Sequence, residues 1–186
     1  IKYADESASG QTPNLNVAAG NNTGNLVINA PQSHVTLNGA EYNNVTASTS
    51  NTTLVVEEGV TIENLTVNQG AVEIYGTVND IILAEGCTIK VWAVGDKDTF
   101  NTALAKGAET IQLKNDICAW DTVCLISRDL AVDGKGKTIT GSATRLFRIT
   151  TTDTVVKFND INLVNKSTSE DARCISFHKT SSKSSF

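Results

Sequence analysis

Tyr75 and Trp92 each close an apolar–polar alternation, with Glu73 and Lys90 standing just before them in matching places. Stacked aromatic rings on an outer face would offer a platform for sugar rings, because large aromatic surface is costly to leave in water. Glu73 beside Lys90 would add an opposite-charge pair of modest worth on the same face. These four residues form the candidate carbohydrate-binding set. A competing reading has the chain after Trp92 fold over the aromatic column as a junction between modules. Cys87, Cys118, Cys124 and Cys174 are an even set without a CxxC motif or a Cys/His cluster, and His34 and His178 are the only histidines. No metal site and no cofactor is assigned from that pattern. Cys118 and Cys124 flank the loop AWDTV. Either a disulfide closes this loop or the thiols remain free and buried.

A short repeat must position these residues. Gly59 to Tyr75 (GVTIENLTVNQGAVEIY) lies on Gly76 to Trp92 (GTVNDIILAEGCTIKVW) without a gap. A unit this small cannot bury a core alone, so the units stack as a solenoid. One apolar ladder begins at Leu26/Ile28 and continues through Val45/Ala47, Leu65/Val67 and Ile82/Ala84. A second runs through Val35/Leu37, Leu54/Val56, Val72/Ile74 and Ile89/Val91. Apolar residues at i and i+2 mark strands with one buried face. A shorter third strand is expected around Val60/Ile62 and Thr77/Val78, giving a parallel β-coil of about four rungs. With Val72, Ile74, Ile89 and Val91 inward, the pattern turns Glu73, Lys90, Tyr75 and Trp92 outward. Asn25, Asn44 and Asn64 align in a column expected to hydrogen-bond from rung to rung. N-x-S/T triplets at Asn21, Asn44, Asn51, Asn64 and Asn165 are what an Asn/Thr-rich chain yields by chance, and glycosylation is given little weight.

After Trp92 the period changes. Asp96 and Asp98 can cap a short helix near residues 98–106, through Phe100, Ala103 and Leu104 to Gly107. Its apolar stripe is wide enough to plug an open end of a β-coil. Alternating strands follow, and Leu130/Val132 recur as Ile161/Leu163, so longer rungs are expected. The domain reading is a short-rung solenoid over 1–93, at about 17–20 residues per rung, and a long-rung coil over 94–186.

FNTALAKGAETIQL, DLAVDGKGKTITG and VVKFNDINLVN, within about residues 97–165, resemble the opening of the pectin-lyase-like right-handed parallel β-helix superfamily. There a cap helix precedes a strand, a glycine-rich turn and the first full coils; Gly134, Gly136 and Gly141 match the turn. The resemblance implies an all-β parallel β-helix akin to bacterial surface and adhesin-type members. The superfamily also holds enzymes acting on acidic polysaccharides. Polygalacturonase-like members carry an adjacent Asp pair, G-H-G and R-I-K; this chain lacks the first two and has Arg148-Ile149-Thr150 in place of the third. Pectate-lyase-like members hold calcium with carboxylates and use an arginine base. Asp129, Asp133, Asp153, Asp160 and Asp171, with Arg128, Arg145, Arg148 and Arg173, fall outside any such motif and read as turn caps and surface ion pairs. No catalytic residue is assigned.

The formal net charge of -5, without a Lys/Arg cluster, argues against a nucleic-acid or anionic-membrane surface. No apolar run approaches the roughly 18 residues of a membrane span. With Ile1 first and no methionine, an initiator and a signal peptide are read as removed, which fits export to the medium or to a bacterial cell surface. The closing HKTSSKSSF follows a strand at Cys174 to Phe177 without a cap, so the chain is read as part of a longer precursor. The functional expectation is a non-catalytic structural or adhesive solenoid. Its expected partners are polysaccharide or cell-surface glycan and further domains of that precursor. The alternatives are a lyase or glycoside hydrolase acting on acidic polysaccharide, and a rigid spacer without a ligand.

Overall fold

Aliphatic residues at every second position make strands that hide one side and pair through their backbones, and that combination builds the whole molecule. The computed structural model describes residues 14–18, 24–39 and 41–177. The readings placed on Ile1, Asn21, His178 and the closing segment 178–186 lie outside the described residues. The fold is mostly β, with parallel sheets stacked as a β-solenoid and one short helix, and the chain divides into two units, 1–92 and 93–186. Among the described residues no helix is long and apolar enough to cross a membrane.

The first unit contains β1 (Asn14–Ala18), β2 (Asn25–Ile28), β3 (His34–Asn38), β4 (Glu41–Ala47), β5 (Thr53–Val56), β6 (Thr61–Val67), β7 (Ala71–Ile74), β8 (Thr77–Leu83) and the start of β9 (Thr88–Val94). Odd-numbered strands pair in parallel in the order β1-β3-β5-β7-β9, and even-numbered ones as β2-β4-β6-β8. Val35, Leu54, Val72 and Ile89 fall in one register column, and Leu26, Val45, Leu65 and Ile81 in another; all eight are buried. Each such side chain stabilises by about 1.5–3 kcal/mol. In β4, β6 and β8 two successive residues are exposed, at Asn43/Asn44, Glu63/Asn64 and Asn79/Asp80. The wall turns a corner there, and buried Tyr42 and Ile62 lie on the far side of it, where the third strand was expected.

Two steps of this unit depart from the gapless repeat. Leu65 pairs with Ile81 rather than Ile82, one position short of the match, so Ile82 faces solvent at 59% exposure and Ala84 is also exposed. Between β7 and β9 the register shifts: Val72 pairs with Ile89, but Glu73 pairs with Val91 and Ile74 with Trp92. Lys90 is the extra residue of a bulge, and an extra residue reverses the facing of every side chain beyond it.

The second unit begins with α1 (Lys97–Ala105), close to the span expected for it. Asp96 caps the helix: its carboxylate accepts from the Thr99 N–H at 2.8 Å, while its own N–H donates to Thr99 Oγ1 at 3.3 Å. The Thr99 N–H first, and the Thr99 hydroxyl donating to the same carboxylate at 2.8 Å second, hold the Asp96 carboxyl below its ordinary range. The strands that follow are β10 (Thr110–Leu113), β11 (Ile117–Trp120), β12 (Cys124–Ile126), β13 (Leu130–Gly141), β14 (Arg145–Ile149), β15 (Val156–Asn165) and β16 (Arg173–Phe177). β13 pairs with β10, β11 and β15, and β12-β14-β16 form a separate sheet, all parallel.

Phe100 of α1 is buried against Trp120, ring centroids 5.1 Å apart and nearly perpendicular, and against Phe147 at 5.9 Å. Phe147 in turn meets Phe158 at 5.2 Å. The recurrence of Leu130/Val132 as Ile161/Leu163 is not the rung here. Leu130 pairs with Val156 and Val132 with Phe158, while Leu163 pairs with Ile139. Both strands turn a corner, at Asp133–Lys137 and around Asp160, so each carries two apolar pairs, and the sequence match joined a pair before the corner to one after it.

Candidate functional site

Glu73, Tyr75, Lys90 and Trp92 do not form one outward column. Trp92, carried past the bulge, is buried at 4% exposure and shares its register position with inward Ile74. Tyr75 is half-buried and its hydroxyl donates to Glu73 Oε2 at 3.1 Å. Burial first, and the Glu73 carboxylate second, push the Tyr75 hydroxyl above its ordinary pKa. Lys90 is exposed at the bulge, and Glu73 is in register with Val91 instead. An aromatic platform needs two exposed faces in one column, and only Tyr75 retains part of one.

The cysteines stay unlinked. Cys118 of β11 is exposed while Cys124 of β12, in a different sheet, is buried, and all four are free. Burial pushes the Cys124 thiol up to about 12. Cys87 and Cys174 donate to the carbonyls of Val67 at 3.3 Å and Leu163 at 3.4 Å.

Several groups that could act as acids, bases or ligands hold turns together. Asp129 accepts from the Val155 N–H and Asp116 from the Thr138 N–H, each at 2.8 Å and each from the next turn of the coil. Asp133 pairs with Lys135 at 3.0 Å, Asp171 with Arg173 at 3.5 Å, and Asp121 with Lys97. Arg128 donates to the carbonyls of Leu104 at 3.0 Å and Asp129 at 2.9 Å. Among the described residues no group of three or more His, Cys, Asp or Glu gathers where a metal ion could be held.

What the fold does assemble is an outward polar wall on β2, β4, β6 and β8. Asn44 Nδ2 donates to Asn25 Oδ1 at 2.7 Å, and Asn64 Nδ2 to Asn44 Oδ1 at 3.1 Å, as the aligned asparagines led one to expect. Farther along each strand comes the column Val27, Thr46, Thr66 and Ile82, exposed or half-exposed. Beyond it, Asn68 Nδ2 donates to Ser48 Oγ at 3.3 Å. Neighbouring strands lie about 4.8 Å apart, so this wall repeats amide, hydroxyl and methyl groups at that interval. The parity that turned Asn25, Asn44 and Asn64 outward could also have found Val27, Thr46 and Thr66, the next outward position of each strand. Compared with protein-family models, with curated proteins and with solved structures, the chain matches none.

Proposed function

We propose that the chain is a non-catalytic, extracellular or cell-surface solenoid of the pectin-lyase-like right-handed kind, with a structural or adhesive role. It meets an extended polysaccharide or cell-surface glycan through the outward wall of β2, β4, β6 and β8. One observation carries the reading: carboxylate, guanidinium and amide groups are engaged in joining one turn to the next, through Asp129 to Val155, Asp116 to Thr138, Arg128 to Leu104 and Asn44 to Asn25. Asp96, Asp98, Asp116 and Asp121 do line one groove, but Asp96 caps α1, Asp116 accepts from the Thr138 N–H and Asp121 pairs with Lys97, so three of the four are engaged in structural bonds rather than free to act on a substrate. Repeated hydroxyls and amides suit repeated sugar hydroxyls, each bond contributing about 1 kcal/mol.

Retention on a panel of immobilised glycans tests the surface, with Thr46→Arg/Thr66→Arg as the variant because both side chains stand outside the core. Retention by the wild type that the double variant loses is the expected result. Equal retention by the variant would remove this wall as the surface, and no retention of the wild type on any glycan would remove the adhesive role. Release of unsaturated uronides from acidic polysaccharide in the presence of calcium would overturn the non-catalytic reading.

A further inference from the structure

A groove of about 410 Å³ lies between the last turn of α1 and the segment after β12, with Asn101, Leu104, Ala105, Leu125, Ser127 and Arg128 in its walls. None of its lining residues is acidic. Arg128 is half-buried, and its guanidinium is fixed by the carbonyls of Leu104 and Asp129. A guanidinium carries five N–H groups, so about three remain to meet a ligand. Burial lowers the Arg128 pKa, with no carboxylate acting on it. The Asp129 carboxylate is turned to the Val155 N–H.

Capping the last turn of a helix explains one bond of Arg128. It does not explain what stands beside it. Leu125 is 58% exposed on the groove wall. In register with Leu125 on the next strand is Arg148, exposed and without a hydrogen-bond or ion-pair partner among the described residues. An exposed leucine and a half-buried guanidinium in one groove without acids are matched in shape and charge by a molecule with a carboxylate at one end and hydrocarbon at the other, and Arg148 adds a positive charge on the neighbouring strand outside the groove.

We infer that this groove binds an apolar carboxylate, its anionic end on Arg128 and its hydrocarbon on Leu104, Ala105 and Leu125. Two sources share that chemistry: a free organic acid and the carboxyl-terminal residue of a peptide. The test is titration of the whole chain, followed by backbone amide NMR shifts at residues 104–107 and 125–128. Hexanoate and N-acetyl-leucine are the probes, with hexylammonium and N-acetyl-leucinamide as controls. The carboxylates are expected to give saturable shifts that the controls do not, with N-acetyl-leucine tighter if the source is a peptide terminus and hexanoate tighter if it is a free acid.

Arg128→Gln is expected to weaken binding by about tenfold or more, as loss of a charge-assisted pair does. Because Arg128 also holds the helix end, Leu125→Glu is the second variant. It changes an exposed side chain and sets a competing carboxylate in the groove that holds Arg128, and it is expected to remove the saturable shift while the rest of the spectrum stays folded. Equal shifts from acid and amide, no saturation with either acid, or unchanged affinity in folded Leu125→Glu would overturn the inference.

Discussion

The first unit returns to the same face of its wall sooner than the second does. Val35 is followed in its column by Leu54 and Val72, and Leu65 by Ile81, whereas Leu130 is followed only by Val156 and Phe147 only by Ile175. The longer turns enclose more interior, and the filling changes with it. Val, Leu and Ile columns close the first unit, where Tyr42 and Trp92 are the buried aromatics among the described residues. The second needs Phe100, Trp120 and Phe147 in mutual contact, and one of the three is delivered by a helix rather than by the wall. Rung length therefore decides side-chain size: a tight hoop is full once aliphatic residues line it, whereas a wide one leaves a void unless rings and a helix enter.

That contrast can be broken first at the rings. Phe147→Ala removes a fully buried ring that touches three others and is expected to cost about 3–5 kcal/mol by denaturant titration. A loss no greater than that of Val72→Ala in the first unit would erase the distinction between ring-filled and aliphatic-filled interiors. Next come two aligned glycines of the tight unit. A Cβ on Gly76 would sit 2.4 Å from the Val60 carbonyl oxygen, while Gly59 has open space but a φ of +85°. Gly76→Asn is expected to cost near the top of the roughly 1–3 kcal/mol range for overpacking, about as much as Gly76→Ala. Gly59→Asn is expected to cost under about 1 kcal/mol, because asparagine accepts the left-handed region. Similar losses at both positions would show that the turns, not the close approach of rungs, limit the tight coil.

Smaller effects separate the units by their response to pH. Asp96→Ala in the second unit and Asn44→Ala in the first are each expected to cost about 1 kcal/mol. The Asp96 carboxyl is depressed in the folded state by its bonds to Thr99, so its contribution is present above the unfolded carboxyl pKa and is lost as pH falls through the lower folded value. The Asn44 amides do not titrate, so the gap between wild type and Asn44→Ala is expected to stay constant over the same acid range. A pH-dependent gap for Asn44→Ala would erase this difference between the two units. The smallest expected perturbation is thiol labelling followed by mass spectrometry: exposed Cys118 reacts first and buried Cys124, with its thiol raised to about 12, reacts last. The reverse order would invert the facing of β11 and β12.

In the tight unit, parity from Leu26 to Ile74 was readable because every strand there keeps its inward pair in one column. It failed at two places that cancel. The step from Leu65 to Ile81 falls one position short of the repeat and the step from Ile74 to Trp92 runs one position past it, so a gapless match passes straight through both. A slip of a single position in a strand exchanges its two faces. Ile82 and Trp92 were therefore assigned to the wrong sides. In the wide unit the helix and its cap were plain from Asp96, Phe100 and Ala103. The register of β13 on β15 was not, because corners within a strand repeat the same apolar pattern twice. The groove at Arg128 could not be read at all, since Leu104 and Leu125 come to line it only through helix docking.

The bulge at Lys90 makes each rung a separately cut hoop rather than a turn of uniform wire. Circumference is set locally, at corners and bulges, and the backbone ladder absorbs the difference before the next hoop begins. Gain or loss of a single residue in such a coil thus exchanges the two faces of one short stretch of wall, as where Trp92 joins the core, and leaves the hoops above and below in place.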